Sequence, residues 1–344
     1  MKPRNWLIKL CLVSVLFLGL PIGSVIAFNY YIDPFWAYTH SHDNNDIQLG
    51  FNERIQKTNW LNARAPLGYN DLLIGTSRTT YINASNFKKP IFHYGLSSLH
   101  ITEYLDYMKY AEKKNGQPFE TIYMEMTSRS FDLAYKPQFN EAQSIIDESE
   151  KEFYRLTHLF SNNTFERAKN NYEHSKVDYS DHPRIYDRDM HVTTYYESKD
   201  IELAVQKFIR FQNERQAEGK LVHFYDPSFK QSLVDMKESF PQAQFVVFTD
   251  LILMERLNIT FESEPLRRAY KRYIREMVEV FGTVYSFHVS NEVTTTRENF
   301  FDLYHFYPQV GDLVAQELQQ RQNSELMTLV TEDNIEEYFA GLGI

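Results

Sequence analysis

Cysteine is almost absent from this sequence: Cys11 is the only one in 344 residues. A single cysteine excludes a disulfide within the chain. Cys11 also precedes most of the apolar run in which it lies, which is the wrong place for the lipid-carrying cysteine of a lipoprotein. The next features indicate export, and an exported domain without disulfides is more typical of a bacterial envelope protein than of a eukaryotic secreted one.

Basic clusters are also missing beyond the extreme N-terminus. The chain has 36 Lys and Arg against 46 Asp and Glu, which gives a formal net charge of -10. Affinity for nucleic acids comes largely from basic side chains that neutralise phosphates, so we expect no nucleic-acid partner. His174, His182 and His191 lie in a polar stretch, but their spacing fits no metal-ligand pattern. We therefore predict neither a metal nor a cofactor.

One long hydrophobic run is present near the N-terminus. Residues 6–28 contain a single charge, Lys9, and match the length of roughly 20 apolar residues that spans a bilayer. Basic residues lie before this run and at its start, and the next one is Arg54. The positive-inside rule therefore places residues 1–5 in the cytoplasm and the rest of the chain outside it. Aromatic residues after the run are expected at the outer interface: Tyr30, Tyr31, Phe35 and Trp36.

A cleaved signal peptide is the alternative, because Val25-Ile26-Ala27 fits a small-residue cleavage pattern. The run is long for the apolar part of a signal peptide, however, and Pro21 and Gly23 interrupt it. We favour an uncleaved signal anchor. The chain is then a single-pass protein of the cell membrane whose main domain is extracytoplasmic, either periplasmic or extracellular.

The remaining chain alternates strand-like and helix-like segments over residues 69–325. This alternation is typical of a three-layer α/β/α domain with a mostly parallel sheet. The predicted strands cover 69–74, 119–126, 245–249 and 284–287, and the predicted helices cover 98–114, 226–240, 266–281 and 309–321.

Three stretches lie outside this alternation. Residues 29–68 are polar and irregular, and we interpret them as a juxtamembrane segment. Residues from about 130–221 are charged and rich in Tyr, Asn and His, with helical patterns at 142–160 and 201–218, which predicts a mostly helical insertion. Residues 326–344 are assigned to a C-terminal tail.

Two short motifs point to chemistry at a serine. The apolar run Leu72-Leu73-Ile74 stops at Gly75-Thr76-Ser77, which predicts a strand that ends in a sharp turn into a helix, the place where α/β folds hold a nucleophilic serine. Asp302 precedes His305 by three residues, and such a pair can supply a general base and its orienting carboxylate. Parallel strands present their carboxyl ends at one edge, so we expect the two motifs to meet there. Taken alone, each motif also fits a capping serine in a tight turn or a chance pairing.

Several groups around this serine are candidates for a role in the same chemistry. The backbone N–H of Ser77 is one candidate donor to an oxyanion, and further candidates follow the next two strands: Gly95, Ser98, Thr127 and Ser128. Arg78 either contacts substrate or braces the turn, and Glu125 and Asp250 stand at strand ends near the same edge. Arg54 and Lys57 either face an anionic substrate or form structural ion pairs.

The Gly75-Thr76-Ser77-Arg78 strand end and the terminal Asp302-x-x-His305 resemble the first and last blocks of the SGNH (GDSL-like) hydrolase superfamily. A narrower resemblance is to its membrane-anchored branch, the DltD-like proteins and the alginate-type polysaccharide O-acetyltransferases. That resemblance lies in Asp33-Pro34-Phe35, Asn52-Glu53-Arg54 with Lys57, and Tyr304-His305-Phe306-Tyr307-Pro308.

The resemblance implies a three-layer, flavodoxin-like domain with a triad of Ser77, His305 and Asp302. It also implies acyl transfer to or from a cell-envelope glycan, with a membrane-bound O-acyltransferase as a possible acyl donor. Two positions depart from the family pattern. Ser98 stands where the second block has a glycine, and the segment around Thr127 lacks the asparagine of the third block. The oxyanion donors therefore differ more from the family than the triad does.

These observations predict an extracytoplasmic O-acyltransferase, most simply an O-acetyltransferase, that acts on an envelope or exopolysaccharide glycan through an acyl-enzyme. Three alternatives remain open. A glycan O-acetyl esterase would use the same triad, a glycan-binding or scaffold protein would keep the fold without catalysis, and a third type would transfer D-alanine to teichoic acid.

Overall fold

The computed structural model describes residues 3–137, 141–175, 184–192, 200–221 and 224–344. The chain divides into two compact units, one of Met1–Arg64 with Ser144–Thr194 and one of Ala65–Gln143 with Tyr195–Ile344. The strands are β1 Ile47–Leu49, β2 Asp71–Gly75, β3 Ile91–Gly95, β4 Thr121–Met126, β5 Ile185–Asp187, β6 Gln244–Thr249, β7 Val284–Ser286 and β8 Thr328–Val330. The helices are α1 Pro3–Ser14, α2 Leu20–Ile32, α3 Glu53–Arg64, α4 Ile101–Asn115, α5 Ala142–Ser149, α6 Tyr154–Leu159, α7 Asn162–His174, α8 Ile201–Ala217, α9 Phe229–Ser239, α10 Met254–Glu262, α11 Glu264–Phe281, α12 Glu292–Thr295, α13 Pro308–Gln320 and α14 Ile335–Gly341.

The apolar N-terminal run is a continuous helix. Residues Trp6–Ile32 form 27 helical residues with a mean hydropathy of 2.4, which is long and apolar enough to cross a membrane. Contrary to our expectation, Pro21 and Gly23 do not interrupt it. The residues Val15–Gly19 form a π-helical turn just before Pro21. A proline ring clashes with the carbonyl four residues earlier, and the wider turn relieves that clash without ending the helix.

The segment after this helix is more regular than its sequence suggested. Residues 29–68 contain the strand β1, which pairs antiparallel with β5, and the twelve-residue helix α3. Asp33 has a φ of 48° and ends α2, and its carboxylate accepts the backbone N–H of Ala37 at 2.8 Å and pairs with Arg188 at 2.7 Å. Arg54 and Lys57 are fully buried within α3, so they are not on a surface that meets substrate. β1 has only three residues, and most buried positions of α3 carry polar side chains. Sequence periodicity therefore missed both elements.

The second unit is built on a six-stranded sheet in the order β3-β2-β4-β6-β7-β8. All neighbouring strands are parallel except β7 and β8. This confirms the predicted mixed α/β architecture with a mostly parallel sheet. Numbered among themselves, the five parallel strands have the order 2-1-3-4-5, a doubly wound order in which the chain reverses direction across the sheet beside its first strand. Ligands bind outside the carboxyl ends at that point in such folds.

Residues 326–344, which we assigned to a tail, supply the sixth strand and a final helix. β8 pairs with β7 in the register Val284↔Val330, and Met327 and Phe339 are buried. The Tyr338 hydroxyl bonds the hydroxyl of Ser286 at 2.7 Å. A strand of three residues is too short to show alternation, so only its pairing reveals it.

The region that we interpreted as one helical insertion is divided between the two units. Residues Ser144–Thr194 belong to the unit that carries the apolar helix, and Tyr195 onward belongs to the other. The helix expected over 142–160 is two helices, α5 and α6. Phe153 lies between them with a φ of 64°, a left-handed conformation that no helix continues through.

Candidate active site

Ser77 lies on the turn that follows β2. A Cβ atom on Gly75, the last residue of β2, would be 2.0 Å from the Thr79 hydroxyl and 2.6 Å from the Cβ of Glu125. Only glycine fits such a close approach, so the chain turns directly at the strand end. The backbone N–H of Thr79 donates to the carbonyl of Thr76 at 3.1 Å and closes the turn.

The structure corrects the predicted helix after this turn. Two three-residue 3-10 helices, Thr79–Tyr81 and Ala84–Asn86, follow Ser77 where we expected a helix with Ser77 at its N-terminus. Neighbouring packing accounts for the short element. A Cβ on Gly311 of α13 would lie 1.9 Å from the carbonyl oxygen of Tyr81, so α13 packs backbone against backbone on this turn.

Ser77, His305 and Asp302 form one hydrogen-bonded chain. The Ser77 Oγ lies 2.8 Å from Nε2 of His305, and Nδ1 of His305 lies 2.9 Å from Oδ2 of Asp302. Oδ1 of Asp302 also accepts the backbone N–H groups of Tyr304 at 2.7 Å and His305 at 2.8 Å. Burial raises the pKa of Asp302, but the bond from His305 and its charge outweigh burial and hold that pKa below the ordinary value. Asp302 is therefore a carboxylate that fixes which nitrogen of His305 faces Ser77.

A short hairpin-like loop holds the imidazole in place. Phe300 bridges to Phe306, and the backbone N–H of Phe301 donates to the carbonyl of His305 at 3.1 Å. The Phe301 ring stacks on the His305 ring with centroids 5.5 Å apart, and Tyr81 meets it edge-on at 6.0 Å. The His305 side chain is 17% exposed, so the site is open to a ligand but the ring has little freedom to rotate.

Glu125, the penultimate residue of β4, ties the serine turn to the sheet. Its Oε2 accepts the backbone N–H of Thr76 at 2.6 Å, the Thr76 hydroxyl at 2.7 Å and the Thr79 hydroxyl at 3.0 Å. Its Oε1 lies 3.3 Å from Nε of Arg78. One buried carboxylate thus binds the residues on both sides of Ser77, which fixes the serine backbone without contacting the serine.

Arg78 extends this cluster to the next strand. Its Nε also lies 3.3 Å from Oδ2 of Asp250, which follows β6, and Oδ1 of Asp250 lies 3.4 Å from Nε2 of His288. Burial raises the pKa of Asp250, but Arg78 and His288 outweigh burial and hold it well below the ordinary value. Burial lowers the pKa of Arg78, but Asp250 and Glu125 outweigh it. Arg78 is therefore buried between the carboxylates of Glu125 and Asp250, and it braces the turn rather than facing a substrate.

The candidate oxyanion donors differ in whether their backbone N–H groups already have an acceptor. The backbone N–H of Ser77 has no acceptor among the described residues, as a donor to a developing oxyanion requires. The N–H of Gly95 points at Nδ1 of His93 at 3.4 Å, and that of Thr127 points at the Ser130 hydroxyl at 3.4 Å. These two groups are engaged within their own turns.

Ser98 and Ser128 are the remaining candidates. Ser98 has a φ of 53°, the left-handed conformation that favours glycine, and the family resemblance aligns a glycine at this position. Its backbone thus takes the glycine conformation although the side chain differs. Ser128 lines a cavity together with Arg129 and Tyr304, the neighbour of His305.

Two of the three histidines of the polar stretch lie among the described residues, apart from each other in the sequence. His174 lies at the end of α7, and His191 pairs with Asp187 at 3.0 Å. His182 lies outside the described residues. Within the described ranges, no group of three His, Cys, Asp or Glu side chains has a geometry that holds a metal ion.

Neither a protein-family model nor a curated protein matches the chain. The case for a function therefore depends on the geometry of the site and on the motifs that compose it. Sequence reasoning missed two features of this geometry. It placed Glu125 at the right edge but did not identify it as the acceptor for the serine turn, and nothing in the pattern of α10 indicated that Arg256 lies beside Tyr304.

Proposed function

We propose that this protein is an SGNH-type serine acyltransferase that moves an acyl group, most simply acetyl, to a hydroxyl of an envelope or exopolysaccharide glycan. The single observation that carries the proposal is the Ser77–His305–Asp302 chain, with 2.8 Å and 2.9 Å links, at the end of the first parallel strand. The 2-1-3-4-5 strand order and the glycine-like backbone of Ser98 support the SGNH assignment.

The geometry suits a two-step reaction. His305 Nε2 removes the Ser77 proton while Oγ attacks the acyl carbonyl, and the same proton then passes to the leaving oxygen of the donor. The Ser77 N–H stabilises the negative charge that develops on the carbonyl oxygen. In the second step His305 removes a proton from a glycan hydroxyl, which attacks the acyl-enzyme and returns Ser77 to its starting state. Asp302 stabilises the positive imidazolium in both steps.

A glycan O-acetyl esterase is the second candidate, and one observation favours it. The side chains of His305 and Asp302 are 17% and 18% exposed, so water can reach the site in the absence of an acceptor. Water and a sugar hydroxyl would be activated by the same nitrogen of His305. The two functions therefore differ in the fate of the acyl-enzyme and not in its formation.

The proposal is tested by following what happens to the acyl-enzyme. The full chain in detergent is incubated with 4-nitrophenyl acetate, with and without an oligosaccharide acceptor. We expect an acetyl group on the Ser77 peptide by mass spectrometry, and acetylated oligosaccharide in preference to free acetate. Free acetate alone would favour the esterase, and a folded protein with neither adduct nor turnover would contradict both. A Ser290→Ala variant, which removes an exposed serine of the same unit, is the matched control.

We infer that the apolar helix Trp6–Ile32 anchors the chain in the cell membrane with the second unit outside the cytoplasm. A second set of exposed apolar side chains supports this placement. Phe153, Leu156 and Phe160 are 65%, 48% and 58% exposed. They belong to the same unit as the helix and are tied to its end, because the Asn29 side chain donates to the carbonyl of Leu159 at 2.9 Å. Apolar groups beside the exit point of a membrane helix are stabilised when they enter the bilayer interface.

This placement predicts the depth of a spin label. In a Cys11→Ser background, Leu156→Cys is labelled with a nitroxide and the protein is placed in lipid nanodiscs. We expect the label to be relaxed more by oxygen, which partitions into lipid, than by a water-soluble nickel complex. Glu173→Cys on α7, where Glu173 is exposed and paired with Lys169, is the control and should show the reverse preference. Water-like accessibility at position 156 would contradict the membrane contact.

A further inference from the structure

A cavity of about 280 Å³ lies in the second unit next to the loop that carries His305. Its volume is at the small end of the range for ligand sites, which suits a molecule of one ring or a short chain. Its wall is mainly aromatic and aliphatic, with Phe131, Phe208, Phe211, Phe224, Ile252 and Leu257 among the lining residues. Such a wall favours a ligand with an apolar body.

One charged side chain in this wall has unused hydrogen-bond donors. Arg256 is 7% exposed, and its Nε and Nη1 have no hydrogen-bond partner among the described residues. The guanidinium stacks between two rings of the same cavity, 4.6 Å from the centroid of Tyr304 and 5.4 Å from that of Phe208. A buried guanidinium with unpaired donors is costly unless an acceptor meets them. A carboxylate fits either edge of the guanidinium, where it accepts from Nε or from Nη1 together with the shared neighbour Nη2.

The other buried arginine of the cavity wall has an acidic partner. Arg215 lines the same cavity and bonds Asp132 at 2.9 Å. Arg256 has an acid nearby, since Asp250 raises its pKa against the larger effect of burial, which lowers it to about 10. Asp250, however, directs Oδ2 to Arg78 at 3.3 Å, and its Oδ1, 3.4 Å from His288 Nε2, makes no hydrogen bond to Arg256 or to any other described residue.

The charges around Arg256 also leave room for one more anion. Arg78 and Arg256 balance the carboxylates of Glu125 and Asp250. Arg129 adds a further positive charge to the cavity wall, 5.3 Å from the Tyr304 ring, and forms no ion pair with the described acids. A ligand carboxylate would therefore be met by a net positive environment in an apolar surrounding, where the attraction is strong.

We propose that this cavity is a binding site for a small organic carboxylate with an apolar body, whose carboxyl group is held by Arg256. The site lies against Tyr304, which forms a cation–π contact with Arg256 and directly precedes His305. A ligand here would therefore contact the loop that positions the base. The link to acyl transfer depends on the proposed function, whereas binding of the carboxylate does not.

Calorimetry on the full chain in detergent tests the site with matched probes. Benzoate and benzamide have nearly the same shape and differ in charge. We expect benzoate to bind at least about tenfold more tightly than benzamide, because only benzoate offers a charged acceptor to the guanidinium of Arg256. Two further probes complete the set. Glucuronate is a carboxylate with a polar ring, and inorganic phosphate is an anion with no organic group. Both should bind more weakly than benzoate.

Variants connect the binding to Arg256. Arg256→Gln should weaken benzoate binding about tenfold or more, and Arg256→Lys should fall between, because it keeps the charge and loses the fork. Thr260→Phe, one turn further along α10 and in the cavity wall, should block benzoate while keeping the Arg256 guanidinium, although it removes the hydroxyl that bonds the Arg256 carbonyl at 3.0 Å. Ser77→Ala should bind benzoate as the unmodified protein does, so failure of the acyl chemistry does not affect this result.

Four results would overturn the inference. These are equal binding of benzoate and benzamide, unchanged binding in folded Arg256→Gln, and unchanged binding in folded Thr260→Phe. The fourth is tighter binding of glucuronate or phosphate than of benzoate, which would refute the apolar body.

Discussion

The Ser77→Ala protein is expected to form no acyl-enzyme and to turn over an acetyl ester at least about a thousandfold more slowly than the unmodified protein. Alanine removes the Oγ that lies 2.8 Å from His305 Nε2. His305→Ala should cost a similar factor, and the double variant should be no worse than either single one, because the two side chains act as a unit. Initial rates with 4-nitrophenyl acetate measure all three.

Asp302→Asn separates orientation from base strength. The carboxylate holds Nδ1 of His305 at 2.9 Å, and an amide would allow the tautomer that presents N–H to Ser77. We expect a loss of about a thousandfold or more in turnover with little change in the unfolding midpoint. Ser290→Ala should be fully active. Turnover of folded Ser77→Ala within about tenfold of the unmodified protein would mean that another group forms the acyl bond.

Glu125→Gln is the second substitution from which we expect a large effect. It should mainly lower the free energy of unfolding. The substitution removes the negative charge that faces Arg78 at 3.3 Å and replaces one acceptor oxygen with a donor beside three N–H and O–H groups that need an acceptor. Breaking a buried ion pair on one side costs about 3 kcal/mol or more. Turnover should also fall, measured at a temperature where the variant is folded, since the residues flanking Ser77 lose their common anchor.

The same strand region offers a matched control. Glu120 directly precedes β4 and forms an exposed ion pair with Lys89. Glu120→Gln makes the same chemical change where water replaces the lost partner, so neither denaturant unfolding nor turnover should change measurably. Equal effects of the two substitutions would show that the buried cluster does not hold the serine turn.

The parts of the fold that were readable from sequence are those encoded locally. β2, β4 and β6 each contain an apolar run of three or four residues, as is typical of strands in a parallel sheet, and the strand-end position of Ser77 follows from Gly75. The edge strand β8 has three residues and no periodicity of its own. The polar stretch before the second unit hides α3, because its buried face carries Gln56, Lys57 and Thr58 instead of apolar residues.

The site shows the same division between local and distant encoding. Asp302 and His305 are three residues apart, so their pairing is visible in the sequence. The Glu125–Arg78–Asp250 cluster joins three strand ends whose approach depends on strand order. Arg78 next to a serine looks identical in sequence whether it faces substrate or is buried between two acids. Which of the two applies depends on the residues that surround Arg78 in space, and one of them, Glu125, is 47 residues away in the sequence.

The distance along the chain between Ser77 and its base has a consequence for biogenesis. The two side chains are 228 residues apart, and the loop of His305 follows the last parallel strand. In the proposed topology the residues nearest the membrane helix emerge first, so Ser77 is exposed long before His305. A serine without its base is an ordinary hydroxyl, so on the proposed function Ser77 becomes a nucleophile only when the folded sheet brings His305 beside it. On the proposed function, activation of Ser77 thus depends on completion of the fold.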